Sequence, residues 1–179
     1  MLQVAEYDYY EDKDLKYLRV PYVNGSYAEF ILPQKQNGLD ELLPKIDGKY
    51  LTEIRRNKKF GDTIVALPKF KFESRHDLQP ILKALGVSSI FEESHADLTG
   101  IFERTPGPLY VSDAIQKATI EMAEWGTRAS AATELDSSSR VAKSVFRADH
   151  PFLFLISDKA NTTLFNGVIR MENNKMAIE

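Results

Sequence analysis

The 179-residue sequence contains no cysteine, so it offers no disulfide framework, no thiolate metal site and no cysteine nucleophile. Long apolar runs are missing too. The longest, Phe152-Leu-Phe-Leu-Ile156, is strand-length, far short of the roughly 20 residues needed to span a bilayer. No membrane segment is expected. Excess positive charge is also absent: 23 Lys and Arg against 26 Asp and Glu leave a net −3, which argues against nucleic acid as a partner. Met1-Leu-Gln-Val4, soon followed by acidic residues, does not read as a signal peptide.

Catalytic motifs are equally scarce. There is no Gly-rich phosphate loop, no G-x-S-x-G elbow, and no His/Asp/Glu spacing that suggests a metal. The three histidines, His76, His95 and His150, read as loop or cap residues, since an acidic neighbour in sequence does not make a catalytic pair. The expectation is a protein that is not an enzyme and needs no metal or cofactor.

What is present is a core. Ten Phe, eight Tyr and 43% hydrophobic residues suffice for a sizeable folded domain. The first 34 residues read as two or three strands, with Leu15–Tyr22 and Tyr27–Leu32 joined across Val23-Asn-Gly-Ser26, where Asn-Gly favours positive backbone dihedrals. Leu39 to about Arg56 has helical period, broken at Asp47-Gly48. Asp62–Phe72 reads as a strand with an edge or bulge at Pro68, Asp77–Leu85 as a short helix ended by Gly86, and Leu109–Met122 as a long strand after the Thr105–Pro108 loop. Pro151–Ile156 and Thr163–Arg170 complete the strands, so the class is α+β. Arg55, Arg56, Lys58 and Lys59 form the one basic cluster, a solvated helix end or a polyanion site. Asn24 and Asn161 each open an N-glycosylation acceptor triplet.

One segment stands apart. Gly126-Thr-Arg-Ala-Ser-Ala-Ala-Thr133 is built almost wholly of small residues, and three readings fit it: a linker, a helical turn, or a strand able to change partners. In the third, alternation puts Thr127, Ala129, Ala131, Thr133 and Leu135 on one face. Arg128, Ser130, Ala132 and Glu134 fall on the other, so both charges of the run share the wet face.

With these residues in view, the chain resembles the serpins. Leu67-Pro-Lys-Phe70, Ala96-Asp-Leu-Thr-Gly100, Leu109-Tyr-Val-Ser112 and Gln116-Lys-Ala118 carry the likeness. So do Glu124-Trp-Gly-Thr-Arg-Ala-Ser-Ala-Ala-Thr133, Ala148-Asp-His-Pro-Phe-Leu-Phe-Leu155 and Leu164-Phe-Asn-Gly-Val-Ile169. The resemblance implies a serpin-like fold of antiparallel or mixed sheets, a few short helices and an exposed reactive loop over 124–146. It covers the C-terminal half of a serpin domain, so residues 1–179 are expected to form a partial fold lacking the N-terminal half.

The resemblance also implies a function: a bait loop cut by a target protease, which then inserts as a strand into the central sheet. The hinge maps onto Gly126, Thr127, Arg128, Ala129, Ser130, Ala131, Ala132 and Thr133, departing from the family pattern at Trp125 and Arg128, where acidic residues are usual. Family spacing from Gly126 and from Pro151 places the scissile bond at Arg140-Val141, with Lys143 a second basic residue nearby. A guanidinium there suits the acidic pocket of a trypsin-like serine protease. Lys69 and Glu124 match a structural charge pair, and Gln116 stands where many serpins carry a histidine. A heparin-like polyanion is a further implied partner for the Arg55–Lys59 cluster. Extracellular location is expected over cytoplasmic. The competing reading is a short, non-inhibitory form acting as protease substrate, decoy or binding module.

Overall fold

In the computed structural model the described residues are 2–101, 109–122, 144–172 and 175–178. Their contacts divide the chain into two units, Met1–Phe70 with Met122–Glu179, and Lys71–Glu121.

The first unit is built on an eight-stranded sheet. Its strands are β1 (Leu2–Glu11), β2 (Leu15–Pro21), β3 (Tyr27–Pro33), β4 (Lys59–Ala66), β7 (Ser144–Arg147), β8 (Phe152–Ser157), β9 (Thr163–Glu172) and β10 (Lys175–Ile178). They lie in the order β10-β9-β8-β3-β2-β1-β4-β7. Every pairing is antiparallel except β4 with β7, which is parallel, so the sheet is mixed. β3 is central, and all seven of its residues are buried. A strand buried on both faces reads as a continuous apolar run, which Tyr27-Ala-Glu-Phe-Ile-Leu-Pro33 is, apart from its glutamate.

Alternation divides the buried side chains of the sheet between two faces. On one, Leu15, Tyr17, Ile31, Leu153 and Leu155 form a cluster with Leu39 and Leu42 of α1 (Leu39–Leu42) and Ile54 of α2 (Gly48–Asn57). Asp47 starts α2, its Oδ1 accepting the Tyr50 N–H at 2.7 Å, so the Asp47-Gly48 break in the sequence is a helix cap. The other face is aromatic: Phe30 meets Phe146 and Phe152 at 6.5 and 6.2 Å between ring centroids, and Phe154 meets Phe70 at 5.8 Å.

The expected turn between β2 and β3 exists in a different form. Tyr22 N–H donates to Ser26 O and Gly25 N–H to Tyr22 O, a three-residue loop in which Gly25 alone takes a positive φ, +82°. This is a type I turn followed by a left-handed bulge residue, which demands one permissive position rather than two.

Three element boundaries also differ from the sequence expectation. The Asp62–Phe72 strand is two strands, because Leu67-Pro68-Lys69 separates β4 from β5 (Phe70–Asp77), and Pro68 has no N–H for a ladder. The helix expected from Asp77 is α3 (Gln79–Ala84). β5 runs on through Asp77, whose Oδ1 accepts the Gln79 N–H at 3.0 Å, and Gly86 ends the turn at φ +90°. The long strand from Leu109 starts only at Ile115, as β6 (Ile115–Met122). Before it, Val111 N–H and Ala114 O are spent on Ile90 O and Leu78 N–H. β5 and β6 form the two-stranded sheet of the second unit. The Thr105–Pro108 loop lies outside the described residues.

Gly167 in β9 shows how tightly the aromatic face is filled. A Cβ there would sit 2.6 Å from Phe154 Cε1 and 2.8 Å from Cζ, so the ring rests on the glycine. Gly167→Ala is expected to destabilise the fold by about 1–3 kcal/mol, the usual cost of overpacking. A urea midpoint unchanged from the parent chain would contradict this packing.

Candidate functional site

The hinge Gly126–Thr133, Glu124 and the Arg140-Val141 bond lie outside the described residues. The structure therefore informs on the segment that follows the expected bait, from Ser144 onward. That segment is firmly held. β7 pairs with β4 from Thr63↔Ser144 to Ala66↔Arg147, and Ala148 N–H continues the contact to Ala66 O at 2.9 Å. Phe146 is fully buried against Phe30, while Lys16 Nζ donates to Val145 O at 3.2 Å.

His150 closes this anchor. Its Nε2 donates to Pro33 O at 2.7 Å, and its Nδ1 lies 2.8 Å from Asp149 Oδ1. The sequence neighbours Asp149 and His150 do pair. Both ring nitrogens are nevertheless occupied, one by a backbone carbonyl, so the imidazole fastens the chain to the end of β3. His95 is exposed beside Glu92 and Ser94, and His76 is exposed on β5. Among the described residues no group of three or more His, Asp or Glu is arranged to hold a metal. No helix among them is long and apolar enough to cross a membrane.

The basic cluster is not one patch. Arg55 turns into the sheet and grips Glu29 of β3 with Nε and Nη2, at 2.8 and 2.7 Å. Lys58 pairs with Asp8 of β1 at 2.8 Å. Arg56 and Lys59 are exposed. A polyanion would meet two of the four cations without disrupting the fold, which weakens the heparin expectation for a physical reason. Lys69 is exposed between β4 and β5, with Glu124 outside the described region. Gln116 is exposed on β6. Asn24 and Asn161 are both exposed, in the β2–β3 and β8–β9 loops.

The constellation that sequence reasoning missed centres on Glu29, which is wholly buried. Its carboxylate accepts from Tyr17 Oη at 2.6 Å, Ser157 Oγ at 2.9 Å, and twice from Arg55. Four donors fill the roughly four lone-pair sites a carboxylate has. Arg19 lies opposite Glu29 in the β2–β3 register, and its guanidinium stacks on the Tyr27 ring 3.3 Å from the centroid. Burial pushes the Glu29 pKa upward, but the hydrogen bonds from Arg55 and Tyr17, the Arg55 charge and the Ser157 bond outweigh it, and the net shift is downward. Burial, followed by the Glu29 charge, pushes the Tyr17 phenol up. The signal was available: one charge in an otherwise unbroken apolar strand calls for a buried partner. Since all its acceptor sites are filled from within the chain, this cluster braces the fold and offers nothing to a substrate.

A lowered carboxyl pKa contributes stability that is complete above the unfolded value near 4.5 and is lost as pH falls through the folded value. The fold is therefore expected to weaken below pH 4.5, with Glu29→Gln flattening that part of the profile. Arg55→Ala leaves the buried carboxylate short of its main partner and should cost about 3–5 kcal/mol. Urea titrations at stepped pH test both expectations. Equal acid sensitivity in the parent and Glu29→Gln would remove Glu29 from this role.

Comparison with known proteins bears on the loop. The family model described as Serpin (serine protease inhibitor) matches residues 1–171. Human Serpin B7 is 37% identical over 163 residues, covering 89% of this chain and 42% of its own length. An uncharacterized serpin-like protein of Methanosarcina acetivorans is 33% identical over 180 residues, covering 97% and 42%. The structure of uncleaved ovalbumin aligns with a TM-score of 0.76 and 30% identity, over 94% of this chain and 43% of that one. The structure of human thyroxine-binding globulin complexed with thyroxine aligns with a TM-score of 0.76 and 26% identity, over 94% of this chain and 44% of that one. The chain thus spans about two-fifths of the length of the relatives it matches.

Proposed function

The chain belongs to the serpin family, and from that premise we propose that it carries the bait of a serpin-type serine protease inhibitor, cut at Arg140-Val141 by a trypsin-like enzyme. The observation that carries the reading is the family match over residues 1–171, which includes the whole small-residue segment and the bait. Its physical support is the anchorage beyond the bait. A protease needs an extended segment with a fixed exit, and β7, Ala148 and His150 supply one. In this reading Gly126–Thr133 is the hinge that inserts, and Lys69 faces Glu124 at the top of the strand leading to it. The reactive-loop region expected over 124–146 belongs in this reading to the C-terminal half of the domain, but its last three residues, Ser144–Phe146, lie in strand β7 rather than in an exposed loop, with Phe146 buried. The partner is the protease, and the chemistry is the protease's own.

A second reading is favoured by one specific observation. Among the described residues β5 and β6 make a two-stranded sheet in which no residue of β6 is fully buried and Phe70 alone is buried in β5. A pair of strands is marginal by itself and has no second gap for a new strand to enter. Trapping by insertion needs a sheet with such a gap. The 179-residue chain on its own is then a protease substrate or decoy, and inhibition belongs to a longer polypeptide that includes it. Secretion fits the acceptor triplets Asn24-Gly-Ser26 and Asn161-Thr-Thr163.

Incubation with trypsin separates these readings. Cleavage after Arg140, seen as a new amino terminus at Val141, is expected for the chain as it stands, and Arg140→Ala should remove it. A covalent protease adduct surviving denaturing electrophoresis would show instead that the chain traps unaided. Resistance at Arg140 with cutting at Lys143 would move the bait.

A further inference from the structure

The β2–β3 and β8–β9 connections are the same loop used twice. In the first, Tyr22 N–H donates to Ser26 O at 2.8 Å and Gly25 N–H to Tyr22 O at 3.0 Å. In the second, Asp158 N–H donates to Thr162 O and Asn161 N–H to Asp158 O, both at 3.0 Å. The fourth residue of each is left-handed, Gly25 at +82° and Asn161 at +65°. The loops also touch. A Cβ on Gly25 would fall 2.3 Å from Lys159 Cε, and the Tyr27 hydroxyl donates to Asn161 Oδ1.

The two acceptor triplets therefore fall on different positions of one loop type. Asn24 is third. Its Oδ1 accepts the Ser26 N–H at 3.0 Å and the Ser26 hydroxyl at 2.5 Å, so the triplet folds on itself. Asn161 is fourth, the left-handed position. Its Oδ1 is taken by a tyrosine 134 residues away in sequence, and Thr163, which should serve it, is in the β8–β9 ladder opposite Ser157.

We infer that this corner accepts a single N-linked glycan, on Asn24, and that Asn161 is withheld by its structural duties. The inference deepens the secreted-serpin reading and rests on it for the encounter with the glycosylation machinery. In the transfer, Asn24 Nδ2 forms a bond to the anomeric carbon of a lipid-linked oligosaccharide, the lipid pyrophosphate leaves, and the amide loses a proton to the transferase. Negative charge grows on the amide as that proton departs, and donors already aimed at Oδ1 stabilise it. For Asn24 both donors lie two residues away, so they are in place wherever the turn forms. For Asn161 the Oδ1 donor exists only in the folded sheet. There, left-handed backbone and the Asp158 bonds to Ala160 and Thr162 N–H hold the loop in another shape.

The test supplies the encounter, so that failure of the inference and failure of the secretory reading are distinguishable. The full chain is given a cleavable secretory leader and translated with microsomes, then digested with peptide N-glycosidase. One glycan step is expected for the parent chain, none for Ser26→Ala or Asn24→Gln, and one for Asn161→Gly, which suits the left-handed position and spares the loop. Loss of the step in Asn161→Gly, two steps in the parent, or no step at all would each overturn the inference. Whether the natural protein is secreted is read separately, from the location of the untagged parent in its own cells.

Discussion

A carboxylate at the centre of a sheet must be answered from every side, and much of this fold follows from the way Glu29 is answered. Tyr17 comes from β2, Ser157 from β8 and Arg55 from α2, so one side chain ties the two neighbouring strands and the covering helix to β3. Apolar contacts would hold these elements together, but with little preference for register. A one-residue slip of a strand exchanges its faces, and here it would strand an ion in a hydrophobic layer. Arg55 extends the same logic to the helix, because only one rotation of α2 brings its guanidinium to the sheet.

The opposite face of β3 does a different job. Phe30 contacts Phe146 and Phe152, which bracket the anchored segment from β7 to β8. The strand that fixes the helix register on one face therefore also holds Phe146 of β7 on the other. His150 adds a polar stitch at the end of β3 through Pro33 O.

Much of this was legible in the residues, and the failures have physical causes. Strands around Asn24-Gly25 and at Phe152–Ile156 show in their apolar density, and Asp47 marks the start of α2. The split at Pro68 was legible as a disturbance but not as an end, because the chain could bulge instead. Residues 109–114 look strand-like in composition, yet their backbone groups bind locally to Ile90 and Leu78, which no periodicity records. The basic cluster misleads for a similar reason. Four cations in five positions look like one patch, while Arg55 and Lys58 are claimed by acids on β3 and β1 that sequence distance conceals. Glu29 could have been flagged as a charge in an apolar run, but its partners come from three separate parts of the chain. The serpin resemblance reached the loop that the described structure does not cover.

The parallel pairing of β4 with β7 carries one more consequence. Parallel neighbours need a long crossover, and here it runs from residue 67 to residue 143. Beyond it, residues 144–172 supply β7, β8 and β9, including Phe146, Phe152 and Phe154 of the aromatic face and the Ser157 bond to Glu29. A cut anywhere between 123 and 143 makes two polypeptides without making two bodies. The smaller piece supplies both ends of the strand order, β8 beside β3 and β7 beside β4, so the nicked protein behaves as a self-complementing pair that separates only when the fold itself comes apart.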